Sequence, residues 1–386
     1  MIQKISFDLE VITPLFLSGS DQTAVELRAQ SIRGQLRYWY RALLGGVGVT
    51  DLRELQELES DLFGSTERGS AFKLRVLRKG DQDQTPINNL NLGGGKPGIT
   101  YLLFSAKMNR RSFIPVGTRF TIQISCWRNP RKHLQLAGCA VWCWVNLSGL
   151  GSRTRRGGGS LNVANVEGEE IDLLPSFTQV GNSPQLFQQY ISSGLEKVRK
   201  LVASQNNFDI RPVSGKPSFP VLAPENLSSI LVVNQVWDNW EKAMEEIGKK
   251  LMGFRRRRPP DYENIKNFIS RGTTFNMVER SAFGLPIQFR YTSLGGESAI
   301  VDWKDSTASD QKKETRRASP LLIRFAKLAG GKYCTVLTFL RSQFLPNAER
   351  VRIKTKKGIV SLNQPSDNIV FDLVKEMGNL LPVTIR

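Results

Sequence analysis

Residues Leu134–Leu147 (LQLAGCAVWCWVNL) hold no charged side chain, and this apolar, helix-like run gives way almost at once to GLGSRTRRGGGS, Gly149 to Ser160. A fold containing this chain must therefore bring a buried helix directly to a loop of glycine and arginine. Glycine takes positive φ and lets a ligand approach the backbone, so several N–H groups can point outward together. Arg153, Arg155 and Arg156 add planar, positively charged donors whose geometry suits phosphate. A solvated surface turn is the plain alternative for such a loop taken alone.

Charge narrows the choice. No acid occurs from Gln84 to Val166, and the charged residues of that stretch, Lys107, Arg110 and Arg111 among them, are all basic. Over the chain 54 Lys+Arg stand against 35 Asp+Glu, a net charge of +19. That excess points to a polyanionic partner, with nucleic acid the first expectation. The opening MIQKISFDLEV alternates instead of forming a signal core, and Gln135, Asn146 and Ser148 interrupt the longest apolar run, so a soluble cytoplasmic protein with no membrane partner is expected. With 386 residues and 40% hydrophobic content the chain can build two domains. Cys126, Cys139, Cys143 and Cys334 fit no disulfide framework. A zinc site from Cys126, His133, Cys139 and Cys143 has the wrong spacing, and Cys139 and Cys143 lie one turn apart in the apolar helix.

Periodicity supplies a coarse order for the first half. Ile5, Phe7, Leu9 and Val11 alternate with polar residues as a half-buried strand. A helix opens at Ser31 (SIRGQLRYWYRALLGG) and a second follows in LRELQELESDLFG. Strands are expected at Phe72–Val76, Tyr101–Ser105 and Phe120–Cys126, then a helix over 130–147, the loop, and a strand in SLNVANV. Strand, helix, strands, helix, strand is the order of a ferredoxin-like split βαβ unit. In the Ser31 helix Ile32, Leu36, Trp39 and Leu43 make an apolar stripe, while Arg33, Arg37 and Arg41 recur along a neighbouring face. Gly34 costs about 1 kcal/mol of helix propensity, which a phosphate seated at the helix start would account for. A solvated arginine edge and a packing glycine are the bland counterpart.

These residues carry a resemblance. ITPLFLSG (Ile12–Gly19), ELRAQSIRGQLRYWYRAL (Glu26–Leu43), ESDLFGS (Glu59–Ser65) and the Gly/Arg loop resemble the RAMP superfamily of CRISPR effector proteins, and more narrowly the first-numbered RAMP subunit of the type III-B (Cmr) complex. RSAFGLPIQFR (Arg280–Arg290) and RRASPLLIRFAKLAGGKYCTVLTFLRSQFLP (Arg316–Pro346) extend it into the second half, leaving 167–254 unmatched. The resemblance implies an α+β chain of tandem ferredoxin-like, RRM-type domains with insertions, placed at 1–170 and 171–386. It implies an RNA-binding subunit that contacts the 3′ region of a guide RNA and a single-stranded target RNA beside other RAMP subunits, without cutting. RRM-like sheets would add stacking on unpaired bases.

The candidate RNA contacts are Ser31, Arg33, Gly34, Arg37 and Arg41 on the first helix; Lys107, Arg110 and Arg111 in the acid-free stretch; Gly149, Gly151, Ser152, Arg153, Arg155, Arg156 and Gly157 in the loop; and Arg280. The run RRRRPPD (Arg255–Asp261) reads as an exposed linker, with an RNA-contacting arm as the alternative. The rival function is a RAMP endoribonuclease that processes guide RNA or cleaves target. General acid/base work on a 2′-hydroxyl favours histidine, and His133 is the only one; it reads as a surface or capping residue at a helix start. Asp21 and Glu26 are the only acids in SGSDQTAVELRAQ. A protein-only scaffold would leave the acid-free stretch unexplained. GLGSRTRRG lacks the lysine and Ser/Thr of a P-loop, so no catalytic residue, metal site or cofactor is expected.

Overall fold

The computed structural model describes residues 1–21, 24–78, 85–92, 94–169, 171–178, 181–224, 227–257, 260–303, 316–346 and 349–385. Its first unit runs β1 (Gln3–Val11), α1 (Ala29–Gly46), α2 (Leu52–Phe63), β2 (Phe72–Arg78), α3 (Pro97–Leu102), α4 (Phe104–Met108), β3 (Arg119–Cys126), α5 (Pro130–Leu147) and β4 (Leu161–Gly168). The strands form one antiparallel sheet in the order β2-β3-β1-β4, the ferredoxin-like arrangement. Phe7 lies opposite Ile122 on one side and Val166 on the other. Alternation therefore sends Ile5, Phe7, Leu9 and Val11 into the core while Lys4, Ser6, Asp8 and Glu10 face away.

Local chemistry sets the helix bounds. Asp51 caps α2 by accepting from the Arg53 and Glu54 N–H groups, both at 2.9 Å. Gly64, at φ +78°, ends it. Pro130 opens α5, and every residue of that helix from His133 to Leu147 is buried, as an uncharged run requires. α1 begins at Ala29, two residues before the expected start, which places Gly34 beyond the first turn.

Tyr101–Ser105, expected as a strand, is instead divided between α3 and α4. A short apolar run does not distinguish the two by period; Pro97 at the first helical position and packing against a later helix decide it.

α6 (Pro184–Gln205) then packs onto α5, where a Cβ on Gly194 would lie 2.0 Å from the Trp142 ring. Its Ile191, Leu195, Val198 and Val202 join the same core as the first sheet.

The remainder comprises β5 (Ser228–Val233), α7 (Trp240–Arg256), α8 (Pro260–Arg271), β6 (Ile287–Tyr291), β7 (Glu297–Trp303), β8 (Leu321–Lys327), β9 (Tyr333–Leu340), β10 (Val351–Thr355), β11 (Gly358–Leu362), α9 (Asn368–Glu376) and β12 (Leu380–Pro382). β12-β5-β9-β8 repeats the order of the first sheet, so a second ferredoxin-like unit is present. Its two excursions pair through β7 and β10, Val351 opposite Trp303, to make a third sheet, β11-β10-β7-β6.

The units are joined tightly. Gly98 of α3 crosses Gly248 of α7 so closely that a Cβ on Gly248 would meet the Gly98 carbonyl at 2.2 Å. Glu245 accepts from the Ile99 N–H at 3.0 Å.

RRRRPPD is not a linker where it is described. Arg255 and Arg256 form the last turn of α7, and Pro260 starts α8, a position a proline tolerates because its missing N–H would be unpaired there anyway. Arg258 and Pro259 lie outside the described residues.

Candidate nucleic-acid interface

The Gly/Arg loop is a closed, internally bonded turn. Gly149 bridges Ser160, and Ser152 bridges Phe16 on the segment after β1. Thr154–Arg156 make one 3-10 turn flanked by Arg153 (φ 72°) and Gly157 (φ 82°), both left-handed. The N–H groups of Arg156, Gly157, Gly158 and Gly159 all donate to backbone carbonyls of the loop or of Pro14, and that of Ser160 to Thr13 Oγ1. The glycines are required by neighbours: a Cβ on Gly151 would lie 2.3 Å from the Phe16 oxygen, and one on Gly159 2.0 Å from the Leu150 oxygen. From Arg156 to Ser160 the loop's N–H groups are therefore already engaged within the chain, and its arginine side chains are what that part presents.

Those arginines open into a cleft of about 760 Å³ whose walls come from both units. Arg153, Arg155 and Arg156 stand on one side; Arg255, Arg280, Arg316 and Arg317 stand on the others, and no acid is among the described residues that line it. Backbone carbonyls orient several of them. Arg153 Nε donates to the Leu102 oxygen at 3.0 Å, and Arg155 donates to the Ser319 oxygen while lying 5.6 Å over the Tyr38 ring. Arg280 Nη2 donates to the Arg255 oxygen at 2.7 Å, and Arg317 Nη2 to Ser342 Oγ and the Gln343 oxygen at 2.7 and 2.8 Å. Arg156, Arg255 and Arg316 have no hydrogen-bond or ion-pair partner for their guanidinium groups among the described residues.

The crowding has an electrostatic cost. Burial, then the positive charges of Arg255 and Arg153, push the Arg156 pKa down to about 10. Burial followed by Arg255 lowers that of Arg280, and burial followed by Arg155 lowers that of Arg317. Like charges held this close await an anion. Phe104, 56% exposed, adds an aromatic ring at the rim.

The candidates divide by location. Ser31, Arg111, Gly151 and Ser152 line a second groove of about 310 Å³ on the other side of the loop. Gly149 and Gly157 shape the loop from within. Arg33, Arg37 and Arg41 do not form a free ladder. Arg33 and Arg37 donate to the Phe63 oxygen at the end of α2, Arg37 also to Gly64 at 2.7 Å, and Arg37 and Arg41 each sit 3.4 Å from Glu59. Lys107 is tied to the Leu92 oxygen at 3.0 Å, and Arg110 is exposed at φ 47°. A Cβ on Gly34 would meet open space, so no contact within the chain requires that glycine.

Arg255, Arg316 and Arg317 went unassigned in the sequence. Their shared signal, arginines flanking prolines or apolar runs, is visible only when the fold brings α7 and the segment before β8 to one wall.

The expected stacking surface differs too. The outward residues of β1 and β3, namely Lys4, Ser6, Asp8, Glu10, Thr121, Gln123 and Ser125, include no aromatic ring.

His133 is not a surface or capping residue. It is 2% exposed, with Nε2 3.0 Å from Asp61 Oδ2 and Nδ1 against the Arg128 oxygen. Glu26 sits 3.7 Å from Arg28. Cys139 and Cys143 are buried, burial pushes both thiols up, and no group of three metal-ligating side chains exists among the described residues. Nor is any described helix long and apolar enough to cross a membrane.

Tandem ferredoxin-like units with a Gly/Arg loop after the last helix of the first define a RAMP-type protein. The RAMP superfamily family matches residues 8–162. The CRISPR system Cmr subunit Cmr1-1 of Pyrococcus furiosus is 26% identical over 358 residues, 90% of each chain. Cmr1-2 of the same organism is 32% identical over 176 residues, 41% of this chain and 93% of that one. Among solved structures, apo Cmr1 from Pyrococcus furiosus superposes with a TM-score of 0.65 at 21% identity, covering 98% of both chains. A chain of the type III-B Cmr-beta complex bound to cognate target RNA gives 0.56 at 15% identity, covering 98% of this chain and 99% of that one. The chain belongs to the RAMP superfamily, and within it to the Cmr1 subunits of the CRISPR type III-B (Cmr) complex.

Proposed function

We propose that this chain holds single-stranded RNA, guide or target, in the arginine cleft as a non-cutting subunit of a type III-B ribonucleoprotein beside other RAMP subunits in the cytoplasm. The observation that carries this reading is the convergence of seven arginines from both units with no acid among the described lining residues, three of the arginines having no hydrogen-bond or ion-pair partner there. Backbone carbonyls pre-orient the others, so little side-chain freedom is lost on binding. The relative seen with cognate target RNA supports the same assignment.

The nuclease reading finds less support. Both ring nitrogens of His133 are engaged inside the protein, away from any cleft arginine. The decisive test is salt-dependent binding of single-stranded RNA. If about five phosphates are neutralised, the log–log slope should be about −3.5, and replacing Arg156, Arg255 and Arg316 with alanine should flatten it. A flat response in the native protein sinks the proposal, as does cleavage of the bound strand by the purified chain.

A further inference from the structure

A second surface lies apart from the cleft. Just past the end of β3, Trp127 is 52% exposed, whereas the other six tryptophans are buried or half-buried. Tryptophan is enriched at interfaces, where its ring can be covered while the indole N–H stays wet. The ring lines a cavity of about 240 Å³ at the β2 edge, together with Gln30 and Arg33 of α1 and Lys73 of β2, and no acid. Arg33 is fixed there, its guanidinium 5.2 Å from the centroid of the Phe72 ring.

The sheet beside it is basic on its β2 side. Register places Lys4 and Lys73 on either side of Ser125, and Arg75 opposite Gln123. All three cations are exposed and have no partner among the described residues. The acids of the open face lie away from β2: Asp8 and Glu10 further along β1, Glu167 on β4, and Glu169 just past β4, where its N–H donates to the Lys4 oxygen. One exposed aromatic ring beside the cations of β2 is the composition that stacks an unpaired base while holding its phosphates.

We propose that Trp127, with Lys73 and Arg75, forms a second contact for single-stranded RNA, stacking one base outside the arginine cleft. The inference rests on the RNA-holding reading, yet the two fail separately. The probe is a short single-stranded oligoadenylate titrated into the full chain, followed by tryptophan fluorescence and by an independent binding measurement. Oligoadenylate should quench the native emission. Trp127→Phe should bind within a few-fold of native but lose most of the quenching, and Trp127→Ala should bind about 5- to 100-fold more weakly, the loss expected for one stacked base. The Arg156→Ala, Arg255→Ala, Arg316→Ala variant should still quench, at higher oligonucleotide concentration. Native-like binding by Trp127→Ala, or a quench unchanged in Trp127→Phe, overturns the second contact and leaves the cleft standing. Normal RNA binding by Trp127→Ala with loss of association to the other RAMP subunits also overturns it, and reassigns the ring to a protein contact.

Discussion

Gly157 lies against the ring of Phe325 so closely that a Cβ would sit 2.2 Å from Cε2. This contact fixes the arginine loop of the first unit to β8 of the second, and Thr13 Oγ1 secures it by donating to the Gly157 oxygen at 2.6 Å. With φ at +82°, position 157 also disfavours any side chain. Gly157→Ala should therefore cost about 1–3 kcal/mol through overpacking and backbone strain, measured as a drop in Tm. RNA affinity should fall with it, because Arg155 and Arg156 hang from the displaced turn. Shortening the partner to Phe325→Leu in the alanine background should recover part of the stability. An alanine variant as stable as the native chain contradicts this account.

Arg37 and Arg156 should behave as opposites. Arg37 donates to the Gly64 oxygen and faces Glu59, closing the end of α2 onto α1. Its removal leaves those carbonyls without a charged donor, and Arg37→Ala should lose about 1–2 kcal/mol of stability while RNA affinity changes little. Arg156 has no such partner and sits among like charges. Arg156→Ala should leave Tm unchanged or raise it, and weaken RNA binding by about tenfold, the loss expected for one charge-assisted contact. Thermal denaturation paired with a binding isotherm for each variant separates the two roles.

The contrast shows what the sequence could and could not reveal. A four-residue arginine spacing places three guanidinium groups along one helix edge, and this much is correct; it says nothing of the carbonyls at the end of α2 that receive them. The ferredoxin-like order was legible because β1 alternates cleanly, with Phe7 opposite Ile122 and Val166. The third sheet was not, since β6, β10 and β11 are five residues each and the two hairpins β6-β7 and β10-β11 meet only through β7 and β10, across a long sequence separation. Arg255 reads as part of a solvated run until α7 carries it to the same wall as Arg280. Gly157 and Gly151 were recognised as special residues, but the cause is a neighbouring ring and carbonyl within the chain.

Binding should weaken in alkali for a definite reason. Burial and the charge of Arg255 hold the Arg156 pKa near 10 in the free protein. A bound polyanion favours the protonated form, so the complex keeps its proton to higher pH than the free cleft does. Affinity is then constant at neutral pH and falls as pH rises through about 10, by up to about tenfold per unit for one linked proton. A 2′-O-methyl oligonucleotide, which resists alkaline hydrolysis, allows the measurement. Arg156→Gln should bind more weakly at pH 7 and lack that first decline; an unchanged profile in the variant places the titration elsewhere.

Asp61 and His133 provide the last prediction, which also tests the nuclease alternative. Burial acts to raise the Asp61 carboxyl, but the hydrogen bond from His133 and the charges of His133, Arg68 and Lys132 outweigh it, leaving the group below its ordinary value. A carboxyl lowered on folding contributes stability above its unfolded pKa of about 4, and that contribution is lost as pH falls through the folded value. Asp61→Asn should thus be less stable than the native chain at pH 7, by about 1–3 kcal/mol for a partly buried network left short of an acceptor, and the gap should close as pH falls through the lowered carboxyl value. His133→Ala opens a cavity beside α5 and loses the same hydrogen bond, so it too should lower Tm. If the histidine is structural, RNA incubated with native protein, with Asp61→Asn or with His133→Ala stays equally intact, and affinity in the arginine cleft is retained wherever the variant remains folded. Cleavage by the native chain that vanishes in His133→Ala while Tm holds would give the histidine a chemical role that its burial against Asp61 argues against.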